Sequence, residues 1–355
     1  MLLVLVMAGA LWGIGAAMGT PKSLRWGTIG ILWLGVVLLH LVLPEGHALR
    51  MATGESAALW LLLGGFASLV LAYRAGLRRL RARAQPAAPE PAQPGRFTNT
   101  QLERYARHIV LREIGGPGQK ALRDARVLVI GAGGLGSPAL LYLAAAGVGT
   151  IGVIDDDVVD NSNLQRQVIH RDADIGTPKV QSALNAMLAQ NPSVTVRPFQ
   201  RRLTEDIAPG LFAEYDLILD GTDNFDTRYL ANKTAVAVEK PLISGALSQW
   251  EGQLSVFDPA GGAPCYQCIF PQAPAPELAP SCAEAGVLGP LPGVLGAMMA
   301  VEAVKLITGA GTPLRGQMLI YDALYGESRK FTLRPRADCP ICGGKGDIHD
   351  ESAAG

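Results

Sequence analysis

Four glycines and one carboxylate form the most specific chemical pattern in this 355-residue sequence. The glycines are Gly131, Gly133, Gly134 and Gly136. They directly follow the aliphatic run 127–130, where glycine permits a tight turn, a close approach of backbone N–H groups to a phosphate, and packing of the next helix. The next aliphatic run, 151–154, leads into Asp155, which is placed to accept a hydrogen bond from a ribose hydroxyl. The pattern predicts a nucleotide site, and alone it favours NAD or FAD.

Three polar residues further along the chain favour ATP over a redox cofactor. Arg166, Lys179 and Asp223 supply two cations and an acid beside the expected phosphate site. A dehydrogenase needs no such set, whereas an enzyme that cleaves ATP between the α- and β-phosphates needs cations that offset the developing charge. Each residue alone is also typical of an exposed salt bridge or an ordinary turn, but the ordered set indicates ATP.

Four of the five cysteines form two C-x-x-C pairs. They are Cys265, Cys268, Cys339 and Cys342. This spacing lets both sulfurs of a pair face one ion, and two pairs supply the four thiolates of a tetrahedral zinc site. The alternative, two disulfides, would be strained and is disfavoured in the cytoplasm. We predict a structural zinc ion that joins distant segments and leaves no ligand position open.

The fifth cysteine, Cys282, follows the proline-rich stretch 271–280, which predicts a loop. A buried small apolar side chain and a reactive thiol fit this residue equally well. The residues alone leave the two roles open.

The elements that must position these residues alternate between strands and helices from Phe97 onward. Predicted strands are 127–130, 151–155, 195–199, 216–220 and 242–245, and predicted helices are 137–146, 178–190 and 227–239. This alternation is typical of a mainly parallel sheet with helices on both faces, which binds ligands at the carboxyl ends of its strands. Later strands at 253–257, 318–323 and 330–333, with a helix at 294–307, are expected to continue the sheet as antiparallel strands. The predicted fold class is therefore α/β and Rossmann-like.

The first quarter of the chain has a different composition. Overall charge is balanced, with 31 basic and 31 acidic residues, so nothing favours a nucleic-acid partner. Apolar runs at about 2–20, 26–43 and 57–73 each approach the roughly 20 residues that cross a bilayer core of about 30 Å. We predict three transmembrane helices; the alternative is a signal peptide followed by a buried hairpin, which the lack of early basic residues disfavours.

Basic residues beside these runs predict their orientation. The third run is followed by Arg74, Arg78, Arg79, Arg81 and Arg83. Placing this cluster in the cytoplasm also places Lys22 and Arg25 there, as the positive-inside rule requires. We therefore expect a multi-pass protein of a bacterial inner membrane with a cytoplasmic catalytic part. The predicted divisions are a membrane region 1–83, a Pro/Ala-rich linker 84–95, a catalytic domain 96–346 and a tail 347–355.

Ordered motifs between residues 101 and 342 resemble the MoeB/ThiF/HesA branch of the ubiquitin-activating-enzyme-like superfamily, and within it the molybdopterin-synthase adenylyltransferases. Besides the glycine turn and both cysteine pairs, the motifs are Arg104-Tyr-Ala-Arg107, Gly118-Gln119, Asp155-Asp156-Asp157, Asn163-Leu-Gln-Arg166-Gln167, Gly176-Thr-Pro178-Lys179, Asp220-Gly-Thr-Asp223-Asn224 and Glu251-Gly252-Gln253. The resemblance implies ATP-dependent adenylation of the C-terminal Gly-Gly carboxylate of a small ubiquitin-fold sulfur carrier. Pyrophosphate is released, and the pathway is molybdenum cofactor biosynthesis.

The resemblance also assigns roles to residues of the nucleotide site. Asp155 would hold the ribose of ATP. Arg166 and Lys179 would neutralise the phosphates, Asn163 would orient them, and Asp223 would position Mg²⁺.

Two further roles come from the resemblance. Arg107 would reach into the active site of a partner subunit, which implies a homodimer. Cys282 matches a position that in some members forms a thioester or persulfide with the carrier, although members that only adenylate do not depend on it.

Two features depart from the family pattern, and other functions stay open. No sulfurtransferase domain follows Cys342, so we expect a separate sulfur donor protein, and the apolar runs are not typical of soluble members. The runner-up substrate is the thiamine-pathway sulfur carrier. A membrane-tethered NAD-dependent oxidoreductase would leave Arg166 and Lys179 without a role, and the intact polar set disfavours a non-catalytic scaffold for ubiquitin-like proteins.

Overall fold

The computed structural model describes residues 2–54, 56–84, 96–274 and 285–343. The chain divides into two compact units, Met1–Pro91 and Ala92–Gly355. Cys282 lies outside the described residues, as do 85–95 of the predicted linker and the whole predicted tail.

The first unit is helical. Its helices are α1 (Leu2–Ala17), α2 (Lys22–Val42), α3 (Ala48–Thr53) and α4 (Ala57–Ala84). A small core of Val4, Val36, Val37 and Trp60 joins three of them. The indole N–H of Trp33 donates a hydrogen bond of 2.9 Å to the carbonyl of Trp60, which ties α2 to α4.

Large apolar side chains cover the outside of this unit: Ile31, Leu62 and Phe66 are 73%, 72% and 69% exposed. Helix α2, and α4 over Ala57–Leu80, are long and apolar enough to cross a membrane. The first predicted span is shorter than expected, because α1 has 16 residues and a length of about 24 Å. The chain turns after α1 at Gly19, whose φ is +68°, and Pro21 precedes α2. Length and composition alone do not establish membrane crossing by these helices, so it stays a prediction.

Within the described residues, the second unit is built on one eight-stranded mixed sheet. The strands are β1 (Arg126–Ile130), β2 (Thr150–Ile154), β3 (Thr195–Phe199), β4 (Leu217–Asp220), β5 (Leu242–Leu247), β6 (Glu251–Phe257), β7 (Gln317–Asp322) and β8 (Glu327–Thr332). Their order is β3-β2-β1-β4-β5-β6-β7-β8. Strands β1 to β5 pair in parallel, and β6 to β8 are added antiparallel. The predicted parallel sheet with an antiparallel continuation is confirmed.

Helices cover both faces of the sheet. They are α5 (Asn99–Ile109), α6 (Gly115–Asp124), α7 (Gly136–Ala146), α8 (Lys179–Gln190), α9 (Ala208–Ala213), α10 (Phe225–Ala237), α11 (Tyr266–Ile269) and α12 (Pro290–Thr308). On one face Leu140 and Leu295 lie in the main core, and on the other Phe212 and Ala231 pack in a second core. Burial on both faces explains why β1 is a continuous aliphatic run.

Helix α12 is also long and apolar enough to cross a membrane. Leu295 and Met299, however, are fully buried in the main core of the second unit. Here its apolar composition is explained by packing in the core, which agrees with the sequence interpretation of this segment as an ordinary helix.

Candidate active site

A cleft of about 1380 Å³ opens at the carboxyl ends of β1, β2 and β4. Strand β1 lies between β2 and β4, so the chain order reverses there, and this switch point is where open α/β sheets bind ligands. Eight predicted site residues line the cleft: Gly131, Gly133, Gly134, Asp155, Asn163, Arg166, Lys179 and Asp223. The structure thus brings the predicted nucleotide residues together, and their individual roles stay predictions.

The glycine turn connects β1 to α7. Gly131 has a φ of +90°, a conformation that favours glycine. A Cβ at Gly136 would overlap the carbonyl oxygen of Gly131, so only glycine lets α7 begin so close to the turn. Among the described residues, the amides of Gly133 and Gly134 have no hydrogen-bond partner. Free amides at the N-terminus of a helix form a site for an anion.

Asp155 closes one side of the turn. Its Oδ2 accepts a hydrogen bond from the Ala132 amide at 2.8 Å, and its Oδ1 accepts one from the Asp157 amide at 2.9 Å. Burial raises the pKa of Asp155, while the charge of Lys179 and these two amides oppose the shift. Each carboxylate oxygen has a second lone pair, so Asp155 keeps the capacity to accept from a ribose hydroxyl.

The two predicted cations are held in different ways. Lys179 Nζ lies 2.7 Å from Asp157 Oδ2, with the lysine side chain 7% exposed and the aspartate 66% exposed. Arg166 donates to Asn163 Oδ1 at 3.1 Å and to the Ser162 carbonyl at 3.2 Å. A guanidinium carries five N–H donors, so Arg166 retains donors for an anionic ligand.

Asp223 is exposed on the loop between β4 and α10. Arg228 holds this loop from inside, donating to the carbonyls of Thr222 at 2.6 Å and Gly245 at 3.1 Å. Its Nε lies 3.7 Å from Asp220 Oδ2, and both side chains are buried. Sequence reasoning missed Arg228; the available signal was its place one turn after Asn224, whose side chain caps α10.

Two groups of three or more metal-ligating side chains occur among the described residues: the four cysteines and Asp155–Asp157. Sulfur–sulfur distances are 3.8 Å for Cys265–Cys268, 3.6 Å for Cys265–Cys339 and 3.3 Å for Cys268–Cys342. Zinc with bonds of about 2.3 Å to four sulfurs would separate them by about 3.8 Å, so the set fits zinc. Burial raises the pKa of Cys265 far above that of a free thiol and raises the pKa of Cys342 to about 11, so a bound metal would displace their protons.

Arg107 does not line the cleft of its own chain. It is exposed on α5, in the second unit. The predicted role of Arg107 in the site of a partner subunit is not tested by the structure of one chain, and it stays a prediction.

A doubly wound sheet with a glycine turn, a carboxylate after β2 and two cations at the switch point defines a nucleotide-binding α/β protein. The chain belongs to the ThiF family, whose model matches residues 105–341. The family resemblance inferred from the motifs is thereby confirmed.

Similar proteins carry related names. A Mycobacterium tuberculosis protein named "Probable adenylyltransferase/sulfurtransferase MoeZ" is 51% identical over 258 residues, 72% of this chain and 65% of the relative. The "Sulfur carrier protein adenylyltransferase" of Thermus thermophilus is 48% identical over 252 residues, 70% of this chain and 93% of the relative. The chain thus spans less than two thirds of the mycobacterial relative's length.

A solved structure has the same fold. It is E. coli MccB with MccA-N7isoASN, with a TM-score of 0.60 and 22% identity. The match covers 70% of this chain and 77% of MccB.

Proposed function

We propose that the second unit uses ATP to adenylate the C-terminal glycine carboxylate of a ubiquitin-like sulfur carrier. The main support for this proposal is that Arg166, Lys179 and the glycine turn line the same cleft. The name of the Thermus relative, a sulfur carrier protein adenylyltransferase, supports the substrate class. Among sulfur carriers we favour that of molybdenum cofactor biosynthesis, with the thiamine-pathway carrier as the alternative.

The reaction is a transfer in which positioning and charge do most of the work. The amides of the turn hold phosphate oxygens, and Asp155 accepts from the ribose. A carboxylate oxygen of the carrier attacks the α-phosphorus, forming a new P–O bond. The bond from the α-phosphorus to the bridging oxygen breaks, and pyrophosphate leaves with the charge that Arg166 and Lys179 offset.

Two metals complete the proposal. Asp223 is an exposed carboxylate at the cleft, which suits Mg²⁺, an ion that commonly takes one or two carboxylates together with substrate phosphates. When bound, Mg²⁺ supplies additional positive charge near the phosphates. The four buried cysteines would hold a structural zinc ion.

We also propose a homodimer in which Arg107 of each chain completes the partner's site. Arg107 is exposed on α5 and is not among the residues that line its own cleft, and both facts support this arrangement. Sulfur would come from a separate donor protein, and Cys282 is retained as a candidate for a covalent bond to the carrier.

The first unit is proposed to anchor the chain in a bacterial inner membrane, with the catalytic unit in the cytoplasm. Exposed apolar side chains on α2 and α4 support a lipid surround. Exposed Arg74, Arg78 and Arg79 on α4 support a cytoplasmic end for that helix.

ATP–pyrophosphate exchange by the full chain in detergent tests the function. Labelled pyrophosphate should enter ATP only when a carrier ending in Gly-Gly is added, and the molybdenum and thiamine carriers are compared separately. A matched carrier lacking its last glycine is the control. Carrier binding without exchange would favour a scaffold, and hydride transfer to NAD without exchange would favour the oxidoreductase.

A further inference from the structure

His170 is a buried histidine behind the glycine turn, and the proposed reaction gives it no role. It is 6% exposed, and its Nε2 lies 2.9 Å from the carbonyl oxygen of Ala132, inside the turn. On the other side of the ring, Nδ1 lies 2.9 Å from Ser182 Oγ. Ser182 Oγ is in turn 2.7 Å from Asp174 Oδ2. A chain of polar groups therefore runs from α8 to the phosphate site.

The direction of the bond to Ala132 is fixed by its chemistry. A carbonyl oxygen only accepts, so Nε2 of His170 carries a proton and donates it. This holds whichever neighbour receives the single hydroxyl proton of Ser182. Burial lowers the pKa of His170 and the charge of Lys179 adds to this shift, while the hydrogen bond to Ala132 and the charges of Asp155 and Asp174 oppose it. If Ser182 donates its proton to Nδ1, the ring is neutral and its one N–H points at the turn; if Ser182 donates to Asp174, Nδ1 is protonated as well and Nε2 still donates to the turn.

The bond controls the amide that follows Ala132. The Ala132 carbonyl and the Gly133 amide belong to one planar peptide unit, and the described chain has no cis peptide bond. In a trans peptide the two groups point in opposite directions. Since His170 holds the carbonyl on the buried side, the Gly133 N–H points towards the cleft, where no described residue accepts it.

The preceding peptide is fixed independently, because the Ala132 amide donates to Asp155 at 2.8 Å. Glycine at 131, 133 and 134 leaves the turn few constraints of its own. Two side chains thus restrain the peptide units on either side of Ala132, Asp155 directly after β2 and His170 in the segment before α8.

We propose that His170 is a positioning residue for the phosphate site, holding the Ala132–Gly133 peptide so that the Gly133 N–H faces a phosphate oxygen. The proposal rests on the proposed function for the identity of the ligand, ATP. The physical effect is preorganisation. The Gly133 N–H already points into the phosphate site before the nucleotide binds, so binding does not have to order the turn.

Two matched substitutions distinguish the roles of the two ring nitrogens of His170. In His170→Gln the side-chain amide nitrogen can occupy the position of Nε2 and still donate to Ala132. In His170→Asn it can reach only the position of Nδ1, which leaves the Ala132 carbonyl without its donor. Each variant is made in the full chain, and binding of ATP and of adenosine is measured by calorimetry.

We expect His170→Asn to weaken ATP binding roughly 5- to 30-fold, the cost of a buried carbonyl left unpaired and an amide no longer aimed. His170→Gln should stay within about 3-fold of the unmodified chain. Adenosine, which has no phosphates, should bind all forms alike. A general structural role would instead weaken adenosine and ATP together.

Unchanged ATP binding in His170→Asn would overturn the proposal, as would equal losses for ATP and adenosine. If His170→Asn does not fold, Ser182→Ala replaces it: loss of the hydroxyl releases the ring, so ATP binding should fall about 2- to 5-fold with adenosine unchanged. Carrier-dependent exchange is measured separately on the unmodified chain. If pyrophosphate exchange is absent while the variants bind ATP and adenosine as expected, carrier adenylation is refuted and the role of His170 stands.

Discussion

Replacing Lys179 with methionine should remove one cleft cation and leave the fold intact. Methionine keeps an unbranched apolar stem in the buried position. Asp157, which loses its cation, is 66% exposed and stays hydrated, so the free energy of unfolding should change by less than about 1 kcal/mol. A charge-assisted hydrogen bond from the ammonium group to a phosphate contributes about 1.5–3 kcal/mol. We therefore expect kcat/KM for pyrophosphate exchange to fall roughly 10- to 160-fold.

Asp157→Asn is the matched control for this substitution. It leaves the ammonium group in place and removes only the 2.7 Å partner that holds it. Since that pair is half exposed, we expect a loss of no more than about 5-fold. Exchange kinetics with a Gly-Gly carrier and denaturant unfolding are measured on both variants. An exchange rate for Lys179→Met within about 3-fold of the unmodified chain would refute the role of Lys179 at the phosphates. A loss of exchange in Asp157→Asn as large as the loss in Lys179→Met would refute it too.

Three further outcomes are expected. Arg228→Met leaves the fully buried carboxylate of Asp220 without its cation, so denaturant unfolding should show a loss of about 3–5 kcal/mol; a loss below about 1 kcal/mol would refute a structural pair. Metal analysis should find one zinc ion per chain. The zinc content should fall as the pH falls, because burial raises the pKa of Cys265 and Cys342 and protons therefore compete with zinc for these thiols. A zinc content that does not depend on the cysteines would contradict this site. A cytoplasm-dependent reporter fused after Arg83 should be active, and activity only of a periplasmic reporter there would reverse the proposed topology.

Local patterns allowed the sheet to be predicted closely. The strand Thr195–Phe199 has the predicted bounds, β1 begins one residue earlier than predicted, and both ends of β2 lie one residue earlier than predicted. Each is a short aliphatic or β-branched run between turn residues, so its identity depends on neighbours in sequence. The cleft residues were also accessible, because parallel strands place the residues after their carboxyl ends at one edge of the sheet.

Side-chain partners from distant segments were not accessible in this way. His170 meets Ala132, and Arg228 meets the Gly245 carbonyl on the neighbouring strand, only once the sheet and its crossover segments are assembled. The extension of α4 to Ala84 was missed for another reason: the predicted span ended where hydropathy fell, but arginine and alanine are good helix formers and the helix continues.

The most direct measurement follows the oxygen atoms of the carrier. A carrier whose C-terminal carboxylate is labelled with ¹⁸O is incubated with the full chain, ATP and Mg²⁺, and the acyl group is then trapped with a thiol. Attack by the carboxylate on the α-phosphorus leaves one labelled oxygen on the released AMP, so mass spectrometry should find ¹⁸O in AMP and none in pyrophosphate. Unlabelled AMP, or label in ADP or phosphate instead, would contradict adenylation of the carrier carboxylate.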